Sequence, residues 1–220
     1  MSKTYYNVVE TLVCICTVNE GKIKIYLKRK NKDPYKGYWI LPGDILSNNE
    51  TLEEKAKNVV LETTSLLNIK LIQSHIFSNI NRDPEERIIA ATYIAITLQD
   101  VVKNNNEMNE TQWFDIDELP KMGYDHDEII TTNMNMLKRQ IINNEEGILL
   151  KLFPRDFTLP ELQNLFETVT GKELDRRNFR KKIITQNYVI DTGEKHSHGT
   201  GRPGKLYHIN PDVGNKSFLE

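Results

Sequence analysis

Residues 39–66 read WILPGDILSNNETLEEKAKNVVLETTSL. The run Trp39 to Gly43 is apolar and stops at Pro42 and Gly43, and after it the period of the sequence changes. From Thr51 to Leu66, the residues Leu52, Ala56, Val59, Val60, Thr63 and Leu66 recur three and four apart, which predicts an amphipathic helix. Upstream, Asn7–Val18 is rich in Val, Thr and Ile, and Lys22–Lys30 alternates Ile23, Ile25 and Leu27 with polar neighbours. Asn19-Glu20-Gly21 between them reads as a hairpin turn. Downstream, Ile69–Ile80 and Arg87–Leu98 are β-rich runs joined by Asn81 to Glu86, Thr111–Ile116 is a short strand, and Asp125–Ile142 is helical. Strands interleaved with a few helices predict an α+β fold, a sandwich or mixed sheet, for about the first 145 residues. Asn143-Asn144-Glu145-Glu146-Gly147 marks the boundary, so the chain divides into residues 1–145 and 146–220.

The second part has sharper local signals. Thr158 and Glu161 have the spacing of a capping box, with Pro160 in the first turn. Leu162, Leu165, Phe166 and Val169 form one apolar face, and Gly171 is placed to end the helix. A second helix, Arg176–Gln186, has Phe179 and Ile183 four apart for packing. At 100° per residue, Arg177 and Lys181 point almost opposite to that pair, while Ile184 fits the scheme poorly. Tyr188–Asp191 and Leu206–Ile209 can pair as strands around a Gly-rich, basic connection, Thr192–Lys205. Helix, tight turn, basic helix and β-hairpin make a winged helix-turn-helix.

Charge divides along the same boundary. The net charge of -2 is the sum of -5 over residues 1–150 (17 Lys+Arg, 22 Asp+Glu) and +3 over residues 151–220 (12 and 9). Residues 172–205 hold nine basic and four acidic residues, a net of +5. Such asymmetry joins an acidic body to a basic module with a polyanion partner. In a helix-turn-helix the second helix enters the DNA major groove, where Arg and Asn make bidentate bonds to guanine and adenine. That helix offers Arg176, Arg177, Asn178, Arg180, Lys181 and Lys182. The hairpin adds Lys195, Arg202 and Lys205 for phosphates or the minor groove. A winged helix used for protein contacts is the alternative, and the charge argues against it. His196 and His198, with no Cys or carboxylate cluster beside them, do not read as a metal site. One recognition helix with a wing buries too little to select one site, so a two-fold dimer is expected.

Composition excludes other classes. With 38% hydrophobic and 27% charged residues, long disorder is not expected. No apolar run approaches the roughly 18 residues of a membrane span. Met1–Tyr6 holds one Lys and the stretch after it is interrupted by Glu10, so no signal peptide is read. Cys14 and Cys16 alternate on one strand face and make no disulfide framework, which points to a reducing cytoplasm.

The segment from Trp39 to Leu66 resembles a Nudix hydrolase signature, in which Gly, Glu, an Arg-Glu pair, a Glu-Glu pair and a final Gly are set at fixed spacing after Leu-Pro-Gly. Here Leu41-Pro42-Gly43 is present, but Asp44 stands at the box Gly. Glu50 falls on the first Glu, and Asn58 and Val59 replace Arg-Glu. Val60 keeps its aliphatic site, Glu62 is kept, Thr63 replaces the last Glu, Ser65 replaces the Gly, and Leu66 fits. Such enzymes cleave nucleoside diphosphate derivatives with Mg²⁺, which needs several hard oxygen ligands. Val59 offers none and Thr63 only a neutral hydroxyl, so no catalytic residue, metal site or cofactor is expected. Glu50 and Glu62 read as solvated or capping carboxylates.

A decayed Nudix domain followed by a winged helix resembles the Nudix-related transcription regulators of NAD metabolism and pentose use. The resemblance extends through Asn81 to Arg87, Phe114 to Pro120, Tyr124-Asp125-His126, Asp175 to Lys181 and Gly201 to Tyr207. It implies a Nudix-like sensor and dimer platform, a double-stranded DNA operator and a small effector, either an ADP-ribose-like nucleotide or a pentose. Arg82, Asp83 and Arg87 are the candidate effector contacts, since guanidinium suits phosphate and carboxylate suits sugar hydroxyls. A surface ion-pair network among Arg82, Asp83, Glu85, Glu86 and Arg87 is the other reading of the same residues. The resulting expectation is an effector-responsive DNA-binding regulator, a repressor, that is not an enzyme. The alternative is an active Nudix pyrophosphatase acting on a nucleotide sugar such as ADP-ribose.

Overall fold

The computed structural model describes residues 7–19, 22–67, 69–97, 110–153, 156–196 and 204–213. The chain divides into two compact units, one within residues 1–17 and 24–136, the other within 18–23 and 137–220.

The first unit is built on a mixed sheet. Strand β1 (Val8–Asn19) lies at its centre, with β2 (Lys22–Arg29) on one side and β6 (Ile88–Ile96) on the other. The order is β3-β2-β1-β6-β5, with β3 at Trp39–Ile40 and β5 at Leu71–Phe77. β4 (Gly43–Ile45) also pairs with β1, and β7 (Thr111–Asp115) with β2. β1 and β6 run parallel from Val8 against Ile88 to Cys16 against Ile96; β5 returns antiparallel to β6 with a register shift between Gln73 and Ile76. The expected strand runs are found: β1 is shifted by one residue, β2 and β7 end one residue early, and β5 and β6 are trimmed at both ends. Glu20 and Gly21 of the expected turn lie outside the described residues.

Alternation along β1 sends its side chains to two layers. Val13 and Ile15 join Tyr26, Tyr93 and Ala95 under helix α1 (Leu52–Thr64), which contributes Ala56, Val59 and Val60 to the same cluster. Thr51 caps α1, and the reciprocal bond from the Thr51 backbone N–H to Glu54 completes a capping box. Ser65 ends it in a left-handed conformation. Cys14, on the other face, meets α2 (His126–Asn143): Asn133 donates to Cys14 Sγ at 3.1 Å and its Oδ1 accepts from Thr92 at 3.2 Å and Ser74 at 2.6 Å. Burial pushes the Cys14 thiol up to about 12 and raises Cys16 as well. Both cysteines are free and inert as packing groups. Gly43 has no room for a side chain, because a Cβ there would stand 2.8 Å from the Thr11 carbonyl and against Leu12.

In the second unit, a short helix α3 (Ile148–Leu152) precedes α4 (Leu159–Thr170), α5 (Arg176–Thr185) and a hairpin of β8 (Val189–His196) and β9 (Gly204–Ile209). The capping box of Thr158 and Glu161 starts α4, and Gly171 ends it at φ +65°. Asp175 caps α5 by accepting from the Asn178 N–H at 2.8 Å. Phe166 meets Phe179 with centroids 6.0 Å apart, and Ile183 is fully buried beside them. The wing strands are longer than their apolar pattern: pairing continues from Asp191 to His196 across a register shift. Polar residues 192–196 and 204–205, expected in a connection, are therefore in strands. α3 was not expected at all.

Candidate functional site

The second unit presents its basic residues on two sides of α5. Phe179 and Ile183 are buried, while Arg176, Arg177, Asn178, Arg180 and Lys181 are exposed and Lys182 is half-buried. Arg176 and Arg180, one turn apart, face a cleft of about 680 Å³ closed by the wing residues Lys195 and Lys205 and by the start of α4. Arg177 and Lys181 are not part of that cleft. Lys205 reaches Asp191 at 2.6 Å, and that bond holds the Asp191 carboxyl below its usual range. Lys195 has no ion pair among the described residues. Arg202 and His198 lie outside the described residues. The result is a helix and a strand pair with a concave cationic surface between them, suited to a phosphate backbone.

In the first unit, the helix that follows Leu41-Pro42-Gly43 carries its functional positions as read from the sequence, but with changed chemistry. Val59 points into the core at 3% exposure. Glu62 and Thr63 line a shallow cleft of about 210 Å³ with Lys28, Glu110 and Thr111. Glu50 lies at the loop before α1, where Ser47 donates to it through its hydroxyl at 2.6 Å and its backbone N–H at 2.9 Å. Lys55 bridges Glu50 and Asp44, 2.9 Å from each. The Ser47 bonds and Lys55 hold the Glu50 carboxyl down at about 2. An ammonium thus occupies the place where these two carboxylates would attract a cation. Among the described residues no group of three His, Cys, Asp or Glu side chains is placed to hold a metal ion. This donor set does not fit magnesium, which demands near-octahedral oxygen ligation.

The segment around Arg82 is organised differently from either sequence reading. Arg82 is 6% exposed. Its Nε and Nη2 donate to the two oxygens of Asp125 at 3.0 and 2.9 Å, and its Nη1 donates to Glu10 at 2.6 Å. Burial works against the Arg82 charge, but the bonds to Asp125 and the charge of Glu10 outweigh it and raise its pKa. The opposite balance holds at Glu10, where burial wins over Arg82 and the carboxyl is raised. Arg82 therefore has its guanidinium committed to protein carboxylates, and these lie on β1 and beside α2 rather than in its own loop. Asp83 accepts from the N–H groups of Glu85 and Glu86. Arg87 donates to the Asn79 carbonyl at 2.9 Å. A cleft of about 250 Å³ has walls that include Glu10, Lys30, Asp83, Tyr124 and His126.

Residues 9–133 match the family model described as NUDIX domain. The chain belongs to the NUDIX domain family. Residues 149–209 match a second model, the NrtR DNA-binding winged helix domain, so the Nudix domain is followed by a winged helix. The chain is 27% identical over 200 residues to the ADPR responsive transcriptional repressor NtrR of Acinetobacter baylyi, covering 89% of this chain and 79% of that protein. It is 29% identical over 132 residues to the ADP-ribose pyrophosphatase of Methanocaldococcus jannaschii, covering 60% and 78%. In fold it resembles Shewanella oneidensis NrtR, solved with a 27mer DNA, at a TM-score of 0.79 and 24% identity over 96% of this chain and 98% of that one.

Within the Nudix domain, this second cleft is lined by Asp83, which the sequence reading assigned to the effector, and by residues it did not assign. Glu10, Lys30 and the neighbouring pair Tyr124 and His126 come from three separate stretches. One signal was legible: a lone Glu inside the apolar run of β1 is a charge that needs a buried partner. The identity of that partner, 72 residues away, was not.

Proposed function

We propose that this protein is an ADP-ribose-responsive transcriptional repressor whose Nudix domain senses its effector without hydrolysing it. The observation that carries the reading is the joining of a cationic winged helix to a Nudix scaffold whose box helix places Val59 and Thr63 where the enzyme signature has carboxylates. The repressor relative supports it with respect to the effector. In this reading Arg176, Arg177, Asn178, Arg180, Lys181, Lys182, Lys195, Arg202 and Lys205 meet operator DNA. Asp83 and Arg87 contact effector, and Arg82 is held by Glu10 and Asp125. The active form is a homodimer in the cytoplasm, and its two-fold axis pairs two recognition helices with two half-sites.

A second reading, a pyrophosphatase carrying a DNA-binding domain, is favoured by one observation, the similarity to an ADP-ribose pyrophosphatase. Mobility shifts of a fragment from the protein's own promoter, with and without ADP-ribose, separate the two when run beside a hydrolysis assay in Mg²⁺. The repressor reading expects a specific shift that ADP-ribose relieves, with the nucleotide recovered intact. Multiple turnovers with no effect on DNA support the second reading.

A further inference from the structure

The loop that joins β2 to β3 is basic in a domain that is otherwise acidic. Residues 29–38 carry Arg29, Lys30, Lys32 and Lys36 against Asp33, a net of +3. The first 150 residues sum to -5, so -8 remains outside this stretch. The loop does not stand alone. Trp39, just after it, donates its N–H to the Lys121 carbonyl at 3.0 Å and accepts from the Gly123 N–H at 2.9 Å, which lays Lys121 beside the loop. Arg29, Lys32, Lys36 and Lys121 are exposed and Lys30 is half-buried. None of the five has an ion pair among the described residues. Elsewhere in the same domain Lys24, Lys55, Lys57 and Arg82 each meet a carboxylate.

These cations are held in place rather than left on a floppy loop. The Gly37 N–H donates to the Lys30 carbonyl at 2.7 Å, the Lys30 N–H to the Tyr38 carbonyl at 2.8 Å, and the Tyr38 N–H to the Tyr35 carbonyl at 3.0 Å. Three rings form a row under them: Tyr35 lies 5.6 Å from Tyr38 and 4.8 Å from Tyr124 between centroids. An ammonium sits at each end, Lys121 at 4.3 Å from the Tyr38 ring and Lys30 at 5.3 Å from the Tyr124 ring. A cation over an aromatic face is attracted without losing its charge, and side chains ordered in advance lose less entropy when a partner arrives. Lys30 lines the cleft of about 250 Å³, and the other four are not among its lining residues. The feature is thus a fixed array of point charges on open surface, which suits a chain of phosphates better than one small ligand. It also has an orienting effect. An acidic body is repelled by DNA, and a local basic face is the side from which it can approach.

We propose that this face of the Nudix domain is a second DNA-contact surface, in which Arg29, Lys32, Lys36 and Lys121 meet phosphates of the operator duplex outside the base pairs that the winged helix reads. The inference rests on the DNA-binding reading of the winged helix and extends it to the other domain. The contact carries no sequence information, because phosphates are the same at every step. Its signature is therefore the salt dependence of binding, since each phosphate neutralised releases counterions.

Two double variants of the full-length protein test this, measured by fluorescence anisotropy on a promoter fragment over a series of salt concentrations. Lys32→Glu with Lys36→Glu reverses the patch. Lys57→Glu with Lys70→Glu makes the same change in net charge at exposed positions elsewhere on the domain. The patch variant binds tenfold or more weakly than the parent, and the slope of log affinity against log salt becomes shallower by about 1–2, the share of two phosphate contacts. The control pair binds as the parent does. Calorimetric titration with ADP-ribose gives the same affinity in all three proteins. The proposal is overturned if the patch variant keeps the parent's affinity and slope, or if both pairs lose affinity equally, which makes the effect one of net charge. It is also overturned if ADP-ribose binding falls in the patch variant while DNA binding holds, which gives the patch to the effector. Should the patch variant melt below the parent, Lys32→Gln with Lys36→Gln carries the same comparison without introducing new carboxylates. A parent protein with no specific DNA binding defeats the regulator reading itself; a parent that binds DNA and a patch variant that binds equally well defeats the second surface alone.

Discussion

At the scale of single residues, Arg82 ties together two carboxylates of the Nudix domain. Its side chain is 2% exposed and joins Glu10 and Asp125, which are 17% and 15% exposed. Removing one partner of a buried ion cluster leaves charge uncompensated, at a cost of about 3–5 kcal/mol. Arg82→Met should therefore lower stability by about 3 kcal/mol in urea titration, and adding Glu10→Gln and Asp125→Asn should restore most of it. His126 supplies a pH dependence of defined sign. Its pKa falls from 6.5 unfolded to about 3 folded, so the unfolded chain binds the proton first as pH drops. Its contribution is complete above pH 6.5 and is lost progressively down to about 3. Between pH 7 and 5 the loss is about 2 kcal/mol. Urea titrations at the two pH values should show that loss in the parent but not in His126→Asn, which retains an acceptor for Leu41. An equal loss in both proteins would place the pH dependence elsewhere.

At the scale of elements, α5 is the piece on which DNA affinity turns. Arg177 and Lys181 project from it away from the buried Phe179 and Ile183. Replacing both with Ala should weaken specific binding by roughly 2–5 kcal/mol, if one reads a base and the other a phosphate. Stability should change little, because both side chains are exposed. Fluorescence anisotropy against a labelled operator, beside thermal melts, checks both parts. Elements differ in how far they could be read from sequence, and the difference is physical. α1 and α4 begin and end on side-chain caps and left-handed residues within a few positions of the helix, so local spacing located them within two residues. The wing was read too short because Thr192 to His196 have no apolar alternation; their strand character comes from pairing with β9. α3 has only five residues and no side-chain cap, which leaves no periodic signal. At the candidate site, the loss of box carboxylates was visible residue by residue. The commitment of Arg82 to Glu10 and Asp125 was not, because both partners are distant in sequence. Arg82 was expected to face a ligand; its guanidinium is instead bonded to Glu10 and Asp125.

At the scale of the whole molecule, the account requires two copies and two ligands. A single winged helix buries too little DNA to find one site in a genome, and two-fold pairing of half-sites meets that need. Light scattering at micromolar concentration should give twice the mass of the 25.6 kDa chain; a monomer mass contradicts this part of the account. No helix among the described residues is long and apolar enough to cross a membrane. The acidic first part and basic second part should give DNA binding that falls steeply with salt, since each neutralised phosphate releases counterions. Effector and DNA are then linked through one free energy, and an effector that weakens DNA binding is itself bound more weakly by the DNA complex by the same factor. The most direct test is the affinity of the full-length protein for its promoter fragment, measured by anisotropy at fixed salt with and without saturating ADP-ribose. The account predicts a weakening of about 5–150-fold, the range of a 1–3 kcal/mol coupling, with the ADP-ribose recovered unchanged. An affinity that does not move while ADP-ribose is consumed would contradict it.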